Sequence, residues 1–203
     1  MADWSSDPFE QLYASVGGDL ERVPWARLGP HPMLVAWLDE RPVAPGSHAL
    51  VIACGLGDDA EELSRRGYRV TAFDLSATAI DWCTRRFPGS SVDYQVADLL
   101  KLPSEWAHRY DVVVEVNTIQ SLPLSVRGDV IRAIAGTVAP GGALFVRCFG
   151  RAPGEPAESR PWPVSREELA GFTTAGLREA EFAEDYPEPT RHRCFRAVYE
   201  RIF

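Results

Sequence analysis

The sequence predicts an α/β fold in which seven strands form a mostly parallel sheet, with helices on both faces and an antiparallel hairpin at the C-terminal end. Short apolar runs alternate with helical segments along most of the chain, and the last two strand-like runs have no helix between them. The length of 203 residues is enough for one well-packed domain but short for two.

The first five predicted strands are apolar runs separated by helical segments. Such runs are typical of parallel strands that are buried on both faces of a sheet. The predicted strands are residues 48–54, 68–75, 92–99, 110–116 and 142–149, and the predicted helices are residues 58–66, 77–87 and 126–138.

The pattern changes in the C-terminal third of the chain. Ser165 and Glu168 have the spacing of a capping box, which predicts that a helix begins there, and Gly176 is suited to end it. The last two strands are predicted at residues 177–186 and 193–202. The loop between them is too short for a parallel crossover, so these strands must pair antiparallel.

About 45 residues precede the first strand, and we expect them to form a helical lid segment. Asp7, Pro8 and Glu10 are typical N-cap, N1 and N3 residues of a helix. The predicted organisation is this segment, residues 1–45, followed by one globular domain, residues 46–203. The aromatic residues of the segment either cover the edge of a site or only pack on the outside; they are Trp4, Phe9, Tyr13 and Trp25.

The composition argues against several partners. The net charge of −8 repels DNA and RNA, so no nucleic-acid partner is expected. The four cysteines lie far apart without a CxxC pair, so neither a metal site from local pairs nor a disulfide framework is predicted. The N-terminus does not resemble a signal peptide, and no apolar run is long enough to cross a bilayer. We therefore expect a cytoplasmic protein without a membrane partner.

The most informative stretch for function is a glycine turn after the first strand. Gly55 and Gly57 lie between a strand and a helix, where glycine allows a tight turn and a close approach of a ligand. Asp74 lies at the end of the second strand, where a carboxylate can accept hydrogen bonds from both hydroxyls of a ribose. Together they predict a Rossmann-like site for an adenosine-containing cofactor.

Two cofactors fit this pattern, NAD and S-adenosylmethionine. With Ala60, the turn also satisfies the dinucleotide fingerprint. However, Asp58 and Asp59 lie at the helix N-terminus that would receive a pyrophosphate, and two carboxylates repel that anion. The ammonium and sulfonium groups of S-adenosylmethionine tolerate acidic surroundings. The C-terminal hairpin also differs from the usual parallel continuation of a dinucleotide fold, so S-adenosylmethionine is favoured.

From about Ser47 to the C-terminus, the sequence resembles the class I S-adenosylmethionine-dependent methyltransferases. The segments Ala-Cys-Gly-Leu-Gly-Asp, Phe-Asp-Leu-Ser, Val-Ala-Asp-Leu-Leu, Asp-Val-Val-Val-Glu-Val and Ala-Pro-Gly-Gly-Ala-Leu-Phe-Val are similar to that family's motifs and occur in the same order. The forms Gly-Leu-Gly-Asp-Asp-Ala-Glu and Asp-Leu-Ser-x-x-Ala-Ile, with Pro24 and Trp25 upstream, resemble the small thiopurine, halide and tellurite-type methyltransferases.

The sequence departs from the family pattern at several points. Cys54 stands where many relatives carry an acid or glycine, and Asp59 where many carry a third glycine. No Asn/Asp-Pro-Pro-Tyr/Phe motif follows the fourth strand, which argues against methylation of DNA or of glutamine side chains. No set of acids resembles a catechol-type magnesium site, so no metal is predicted.

The resemblance implies a set of cofactor-binding residues. Asp74 would bind the ribose, Asp98 the adenine amino group, and Leu75 and Leu99 the two faces of adenine. Glu115 interrupts an apolar run near the carboxyl end of a central strand, where it either faces a ligand or emerges into solvent. The predicted set is Trp25, Cys54, Gly55, Gly57, Asp74, Leu75, Ser76, Asp98, Leu99, Leu100 and Glu115.

The acceptor site is predicted at the same edge of the sheet. Asn117 follows the fourth strand. Arg151 and Trp162 lie in the proline- and glycine-rich loop after the fifth strand, and each either forms a wall of the acceptor pocket or belongs to a solvated loop.

The expected function is transfer of a methyl group from S-adenosylmethionine to a small molecule, such as a thiol, a halide-like anion or a hydroxyl, by in-line displacement. A neutral thioether leaves without protonation, so no catalytic residue is assigned. His31 is the best-placed histidine if a base is needed. We expect a monomer or homodimer. The alternatives are an NAD-dependent oxidoreductase and a non-catalytic module that binds S-adenosylmethionine.

Overall fold

The computed structural model describes residues 8–158, 160–187 and 192–202. The strands of this part of the chain are β1 His48–Ile52, β2 Arg69–Asp74, β3 Asp93–Val96, β4 Tyr110–Val116, β5 Val138–Phe149, β6 Arg178–Asp185 and β7 Cys194–Glu200. The helices are α1 Pro8–Val16, α2 Pro32–Asp39, α3 Asp58–Arg65, α4 Ala77–Arg86, α5 Arg127–Thr137, α6 Arg166–Leu169 and α7 Gly171–Thr174.

The strands form one sheet in the order β3-β2-β1-β4-β5-β7-β6. β4 pairs in parallel with β1 and with β5, and β2 pairs in parallel with β3. β7 lies antiparallel between β5 and β6. The predicted mostly parallel sheet of seven strands with a C-terminal antiparallel hairpin is therefore confirmed.

Several predicted elements differ from the observed ones in their bounds; β1 ends at Ile52 and β5 begins as early as Val138. The third predicted strand, residues 92–99, is longer than β3, because the chain forms a 3₁₀ turn at Leu99–Lys101. The capping box of Ser165 and Glu168 is present, but the helix that follows is divided into α6 and α7. Gly171 begins α7 and packs closely on α5, because an added Cβ there would lie 3.3 Å from the Ile131 side chain.

By their contacts, the described residues divide into two compact units. The first consists of the described residues up to Ser47 and of Ala53–Asp98, and it contains α1–α4, β2 and β3. Helix α1 begins at Pro8 as predicted, while Trp4 and Asp7 lie outside the described residues. The core of this unit joins α1, the glycine turn and α4; its buried members are Tyr13, Val16, Val23, Leu56, Ala79 and Trp82.

The second unit consists of His48–Ile52 and the described residues from Leu99 onwards. Its centre is β4 and β5, whose apolar side chains are buried. β1 and β7 pair with the outer edges of these two strands, and α5 packs against both. The rings of Phe172 and Tyr199 pack at 4.9 Å between centroids and join α7 to β7. The division into residues 1–45 and 46–203 stays a prediction.

The longest of the described helices, α5, has 11 residues. None of these helices combines the length and the apolar character that crossing a bilayer requires.

Candidate cofactor and acceptor sites

The glycine turn has a left-handed backbone conformation. Ala53, Gly55 and Gly57 have φ angles of 46°, 53° and 86°, in the left-handed region that favours glycine. An added Cβ at Gly57 would lie 2.6 Å from the Tyr94 hydroxyl oxygen, so no larger residue fits there. Helix α3 begins immediately afterwards at Asp58. The turn therefore needs glycine for its conformation and for its packing.

Asp74 connects the end of β2 to this turn. Its Oδ2 atom accepts a hydrogen bond from the Gly55 N–H at 2.9 Å, and its Oδ1 atom accepts one from the Ser76 N–H at 2.9 Å. Ser76 caps α4, because its hydroxyl accepts from the Ala79 N–H at 3.0 Å. The helix cap is thus supplied by Ser76 and not by Asp74, whose carboxylate instead lies at the glycine turn.

Apolar side chains lie exposed beside Asp74. Leu75 is 40% exposed and Val96 is 55% exposed. Val96 is the register partner of Asp74 on β3, so its backbone lies directly across from that residue. Exposed apolar surface next to a buried carboxylate suits a ligand with a flat apolar part and neighbouring hydroxyls. Val96 is absent from the predicted set, although its place at the end of β3 is a signal that the sequence offers.

Tyr13 of α1 lies over the glycine turn. Its hydroxyl oxygen would be 3.3 Å from a Cβ added at Gly55, and it accepts a hydrogen bond from the Trp25 indole N–H at 2.9 Å. Burial and the nearby Asp74 carboxylate raise the pKa of the Tyr13 phenol, so the hydroxyl stays protonated. Tyr13 thus connects Trp25 of the N-terminal segment to the turn, and the contact of Trp25 with the cofactor stays a prediction.

Two thiols lie at the same turn. The Cys83 thiol donates to the Gly55 carbonyl oxygen at 3.2 Å. A hydrogen bond with Cys83, together with burial, raises the pKa of the Cys54 thiol well above its usual value. Cys54 therefore stays neutral and adds no negative charge to the turn.

The two acids at the start of α3 are both engaged within the protein. Asp58 forms an ion pair with Arg86 at 2.9 Å, and Asp59 accepts a hydrogen bond from the His31 backbone N–H at 2.7 Å. Burial raises the pKa of Asp59 to about 6. The repulsion of a pyrophosphate at this helix end is weaker than the sequence indicates, because the charge of Arg86 compensates that of Asp58.

The other predicted cofactor residues lie after β3. Asp98 is half-buried two residues beyond the strand. Leu99 is buried in the 3₁₀ turn, whereas Leu100 is exposed. Their contact with adenine stays a prediction.

Glu115 is completely buried at the carboxyl end of β4. Its Oε1 atom accepts hydrogen bonds from the backbone N–H groups of Thr118 and Ile119 at 2.6 and 3.0 Å. Its Oε2 atom has no hydrogen-bond partner among the described residues. Burial raises the pKa of this carboxyl to about 7. Of the two sequence interpretations, emergence into solvent is excluded.

Asn117 follows β4 in the left-handed conformation, with a φ of 64°. Its backbone N–H donates to the Arg147 carbonyl oxygen at 2.8 Å, and its side-chain oxygen accepts from the Arg147 guanidinium. Arg147 lies on β5 and is absent from the predicted set. It is the single charged residue of that strand, which is a signal that the sequence contains.

Arg151 and Trp162 hold the loop after β5. Arg151 forms an ion pair with Glu168 at 2.7 Å and also donates to the Pro163 carbonyl oxygen. The Trp162 backbone N–H donates to the Gln120 carbonyl oxygen at 2.7 Å. The structure shows these two residues in loop-stabilising contacts, and their predicted role as pocket walls stays a prediction.

His31, the histidine singled out as a base, is a structural residue in this fold. It is buried at the start of α2, and its Nδ1 atom accepts a hydrogen bond from the Met33 N–H at 3.2 Å. A metal site is not indicated, because no cluster of three potential ligands occurs within residues 8–158, 160–187 and 192–202.

Comparison with known proteins shows a likeness to methyltransferases over part of the chain. Residues 49–142, which include the glycine turn, Asp74 and β4, match the model of a methyltransferase domain. This match covers less than half of the chain. The ubiquinone biosynthesis O-methyltransferase of Pseudomonas aeruginosa is 31% identical to it over 125 residues, which are 61% of this chain and 53% of that protein. The chain thus spans about half the length of the curated relatives that it matches.

Solved methyltransferases share the fold of this domain. Phosphoethanolamine N-methyltransferase 2 of Haemonchus contortus, in complex with S-adenosyl-L-methionine, has a TM-score of 0.77 at 15% identity, covering 99% of this chain and 60% of that one. N-methyltransferase NodS of Bradyrhizobium japonicum, in complex with S-adenosyl-L-homocysteine, has a TM-score of 0.73 at 22% identity, covering 98% and 99%. At these identities the likeness establishes the fold. The resemblance to thiopurine, halide and tellurite-type members stays a prediction.

Proposed function

We propose that this protein is an S-adenosylmethionine-dependent methyltransferase that acts on a small-molecule acceptor. The observation that carries the proposal is Asp74, a nearly buried carboxylate that holds the Gly55 turn beside the exposed side chains of Leu75 and Val96. A carboxylate at the end of the second strand can accept hydrogen bonds from the hydroxyls of a ribose. The named relatives, an O-methyltransferase and N-methyltransferases, support the same reaction class.

The residues of the chain have binding and positioning roles in this proposal. When bound, S-adenosylmethionine supplies an electrophilic methyl group on a sulfonium whose leaving group is a neutral thioether. Asp74 binds the ribose, and Leu75 with Val96 shields the adenine from water. Glu115 fixes the turn that carries Asn117 through its bonds to the Thr118 and Ile119 N–H groups. Alignment and exclusion of water then provide the acceleration, and no residue has to donate a proton to the leaving group.

The acceptor is proposed to be a thiol, a halide-like anion or a hydroxyl on a small molecule. The net charge of −8 argues against a nucleic-acid substrate. Among the described histidines, His31 is used as a helix cap. The chain therefore suits an acceptor that is already anionic or easily ionised.

The test is a calorimetric titration of the protein with S-adenosylhomocysteine and, separately, with NAD. We expect S-adenosylhomocysteine to bind and Asp74→Asn to weaken its binding about 10- to 100-fold, because a charged acceptor contributes about 1.5–3 kcal/mol per hydrogen bond. Asp111→Asn is the matched control, because the Asp111 carboxylate also accepts a backbone N–H, from His48 at 2.8 Å, but at an exposed position in the second unit.

The outcomes separate the competing functions. Binding of NAD without binding of S-adenosylhomocysteine would overturn the proposal in favour of an oxidoreductase. Binding of S-adenosylhomocysteine without transfer of a labelled methyl group to a panel of thiols, phenols and halides would favour a non-catalytic module.

A further inference from the structure

Arg147 is a buried cation that forms no close ion pair among the described residues, although its charge partly offsets the rise that burial causes in the pKa of the Glu115 carboxyl. The Arg147 side chain is 7% exposed, and its contacts are to neutral groups. It donates to the Asn117 side-chain oxygen and, at 2.9 Å, to the Cys194 sulfur, while its guanidinium carbon lies 5.0 Å from the centre of the Phe149 ring. Its Nε atom has no hydrogen-bond partner in the described part of the chain.

Two other arginines in the same unit form ion pairs. Arg127 is also buried, but it forms an ion pair with Glu168 at 3.0 Å. Arg196, the register partner of Arg147 on β7, forms one with Glu181 at 2.7 Å. Burying a guanidinium without a carboxylate is unfavourable, so an unpaired one needs an explanation.

Glu115 does not provide the missing partner. Its register partner on β5 is Val146, whereas Arg147 is the register partner of Val116. Because successive side chains of a strand point to opposite faces, Glu115 and Arg147 lie on opposite faces of the sheet. The hydrogen bonds of Glu115 go to backbone N–H groups of its own turn.

The place of Arg147 in the fold indicates a ligand. It lies near the carboxyl end of β5, next to Asn117 at the carboxyl end of β4. In open α/β sheets, ligands bind outside the carboxyl ends of the strands. The guanidinium fork matches a carboxylate better than any other common group, since two parallel N–H donors meet two oxygens.

We propose that Arg147 binds a carboxylate of the methyl acceptor, with Asn117 as the residue that holds the guanidinium in place. The inference rests on the proposed function and specifies its substrate class: a small acid that carries the nucleophilic atom elsewhere on the molecule. A guanidinium placed on the nucleophile itself would stabilise its negative charge and reduce its reactivity. A carboxylate remote from the reacting atom instead provides binding energy for orientation.

The experiment compares matched probes that differ only in charge. Benzoate and benzamide are titrated into the wild-type protein, with and without S-adenosylhomocysteine, and methyl transfer is measured with 4-mercaptobenzoate and 4-mercaptobenzamide. We expect the acid of each pair to be favoured by about tenfold or more, in affinity and in kcat/KM. Arg147→Gln removes this preference. The matched control Arg196→Gln, which removes the same charge on the same sheet face, retains it.

A preference that is absent in the wild type, or that persists in Arg147→Gln, would overturn the inference. Circular dichroism checks that the variant is folded. If Arg147→Gln is not folded, Arg147→Lys is used instead, because lysine keeps the positive charge but lacks the two parallel N–H donors. We expect this variant to prefer the acid over the amide less strongly than the wild type does. An unchanged preference would count against bidentate binding. The same titrations separate this inference from the proposed function. If S-adenosylhomocysteine binds but benzoate and benzamide bind equally well, the carboxylate site is overturned and the proposed function is not. If S-adenosylhomocysteine does not bind, the proposed function is overturned.

Discussion

At the scale of single residues, burial has its clearest chemical effect at Glu115. The carboxyl has a pKa of about 7 in the folded protein, above its ordinary value of 4.5, because burial disfavours the charged form. The folded state therefore binds a proton more tightly than the unfolded state does. The stability that this provides is complete below pH 4.5 and is lost as the pH rises through about 7.

Glu115→Gln is expected to stabilise the protein at pH 8 and to have little effect at pH 4.5. The glutamine oxygen still accepts the Thr118 and Ile119 N–H groups, and no charge has to be buried. The gain in unfolding free energy at pH 8 is on the order of 2 kcal/mol, measurable by urea denaturation at both pH values. The exposed Glu105 provides the control, since Glu105→Gln should change neither curve. A Glu115→Gln protein that is equally stable or less stable at pH 8 contradicts this account.

The residues of the site differ in how far sequence predicts them. Gly55, Gly57 and Asp74 are predicted by local patterns, because the tight turn and the acid that ends a strand can each be recognised from a short stretch of sequence. Tyr13 and Arg147 are not. Arg147 stands out in the sequence as the single charged residue of its strand, but its contacts, like those of Tyr13, are with distant elements that periodicity and motif spacing do not identify.

At the scale of elements, α1 is held on α4 by one acidic side chain. The Glu10 carboxylate accepts hydrogen bonds from the hydroxyls of Ser76 and Thr78 at 2.6 and 2.5 Å, and from the Thr78 N–H at 3.1 Å. These bonds lower the pKa of Glu10. Their contribution is therefore complete above pH 4.5 and is lost as the pH falls through the lowered folded value.

Glu10→Ala should loosen α1 at neutral pH. Loss of charge-assisted bonds at a partly exposed site lowers local stability by about 1 kcal/mol, which corresponds to roughly fivefold more frequent opening. Limited trypsin digestion, with the fragments identified by mass spectrometry, should show cleavage at the exposed Arg22 and Arg27 accelerated by that factor. Glu21→Ala changes an exposed acid of the same segment and should cleave at the wild-type rate. Equal rates for the two variants would mean that α1 is held by its aromatic contacts alone.

The elements themselves were largely predictable. Strands β1, β2, β4 and β5 lie within or around the predicted apolar runs, and Ser165 caps α6 as its spacing indicates. The break between α6 and α7 was not predictable. It accompanies the close packing of Gly171 on Ile131, a contact between residues 40 positions apart in the sequence.

At the scale of the whole molecule, the net negative charge disfavours binding to polyanions. Aspartate and glutamate number 29 against 21 lysines and arginines. Several of the arginines that could attract a polyanion are engaged in ion pairs, as Arg86 is with Asp58 and Arg127 with Glu168. The average field therefore repels phosphate backbones.

We expect no measurable binding to a labelled DNA duplex, even at low ionic strength where nucleic-acid affinity is highest. Fluorescence anisotropy at about 50 and 200 mM salt tests this. The informative control is an unrelated basic DNA-binding domain, whose affinity should fall steeply over that range. Anisotropy that rises at low salt with this protein would indicate a local basic surface that outweighs its average charge.

The aromatic cluster around Tyr13 has a practical consequence. The rings of Trp25 and Trp82 pack edge-on against Tyr13 at 5.7 and 5.6 Å. At such separations tyrosine passes its excitation energy to indoles, and indole emission responds to changes in local polarity. A nucleoside that binds at Gly55 would therefore alter the intrinsic ultraviolet fluorescence of the protein. Binding can thus be followed without an attached dye.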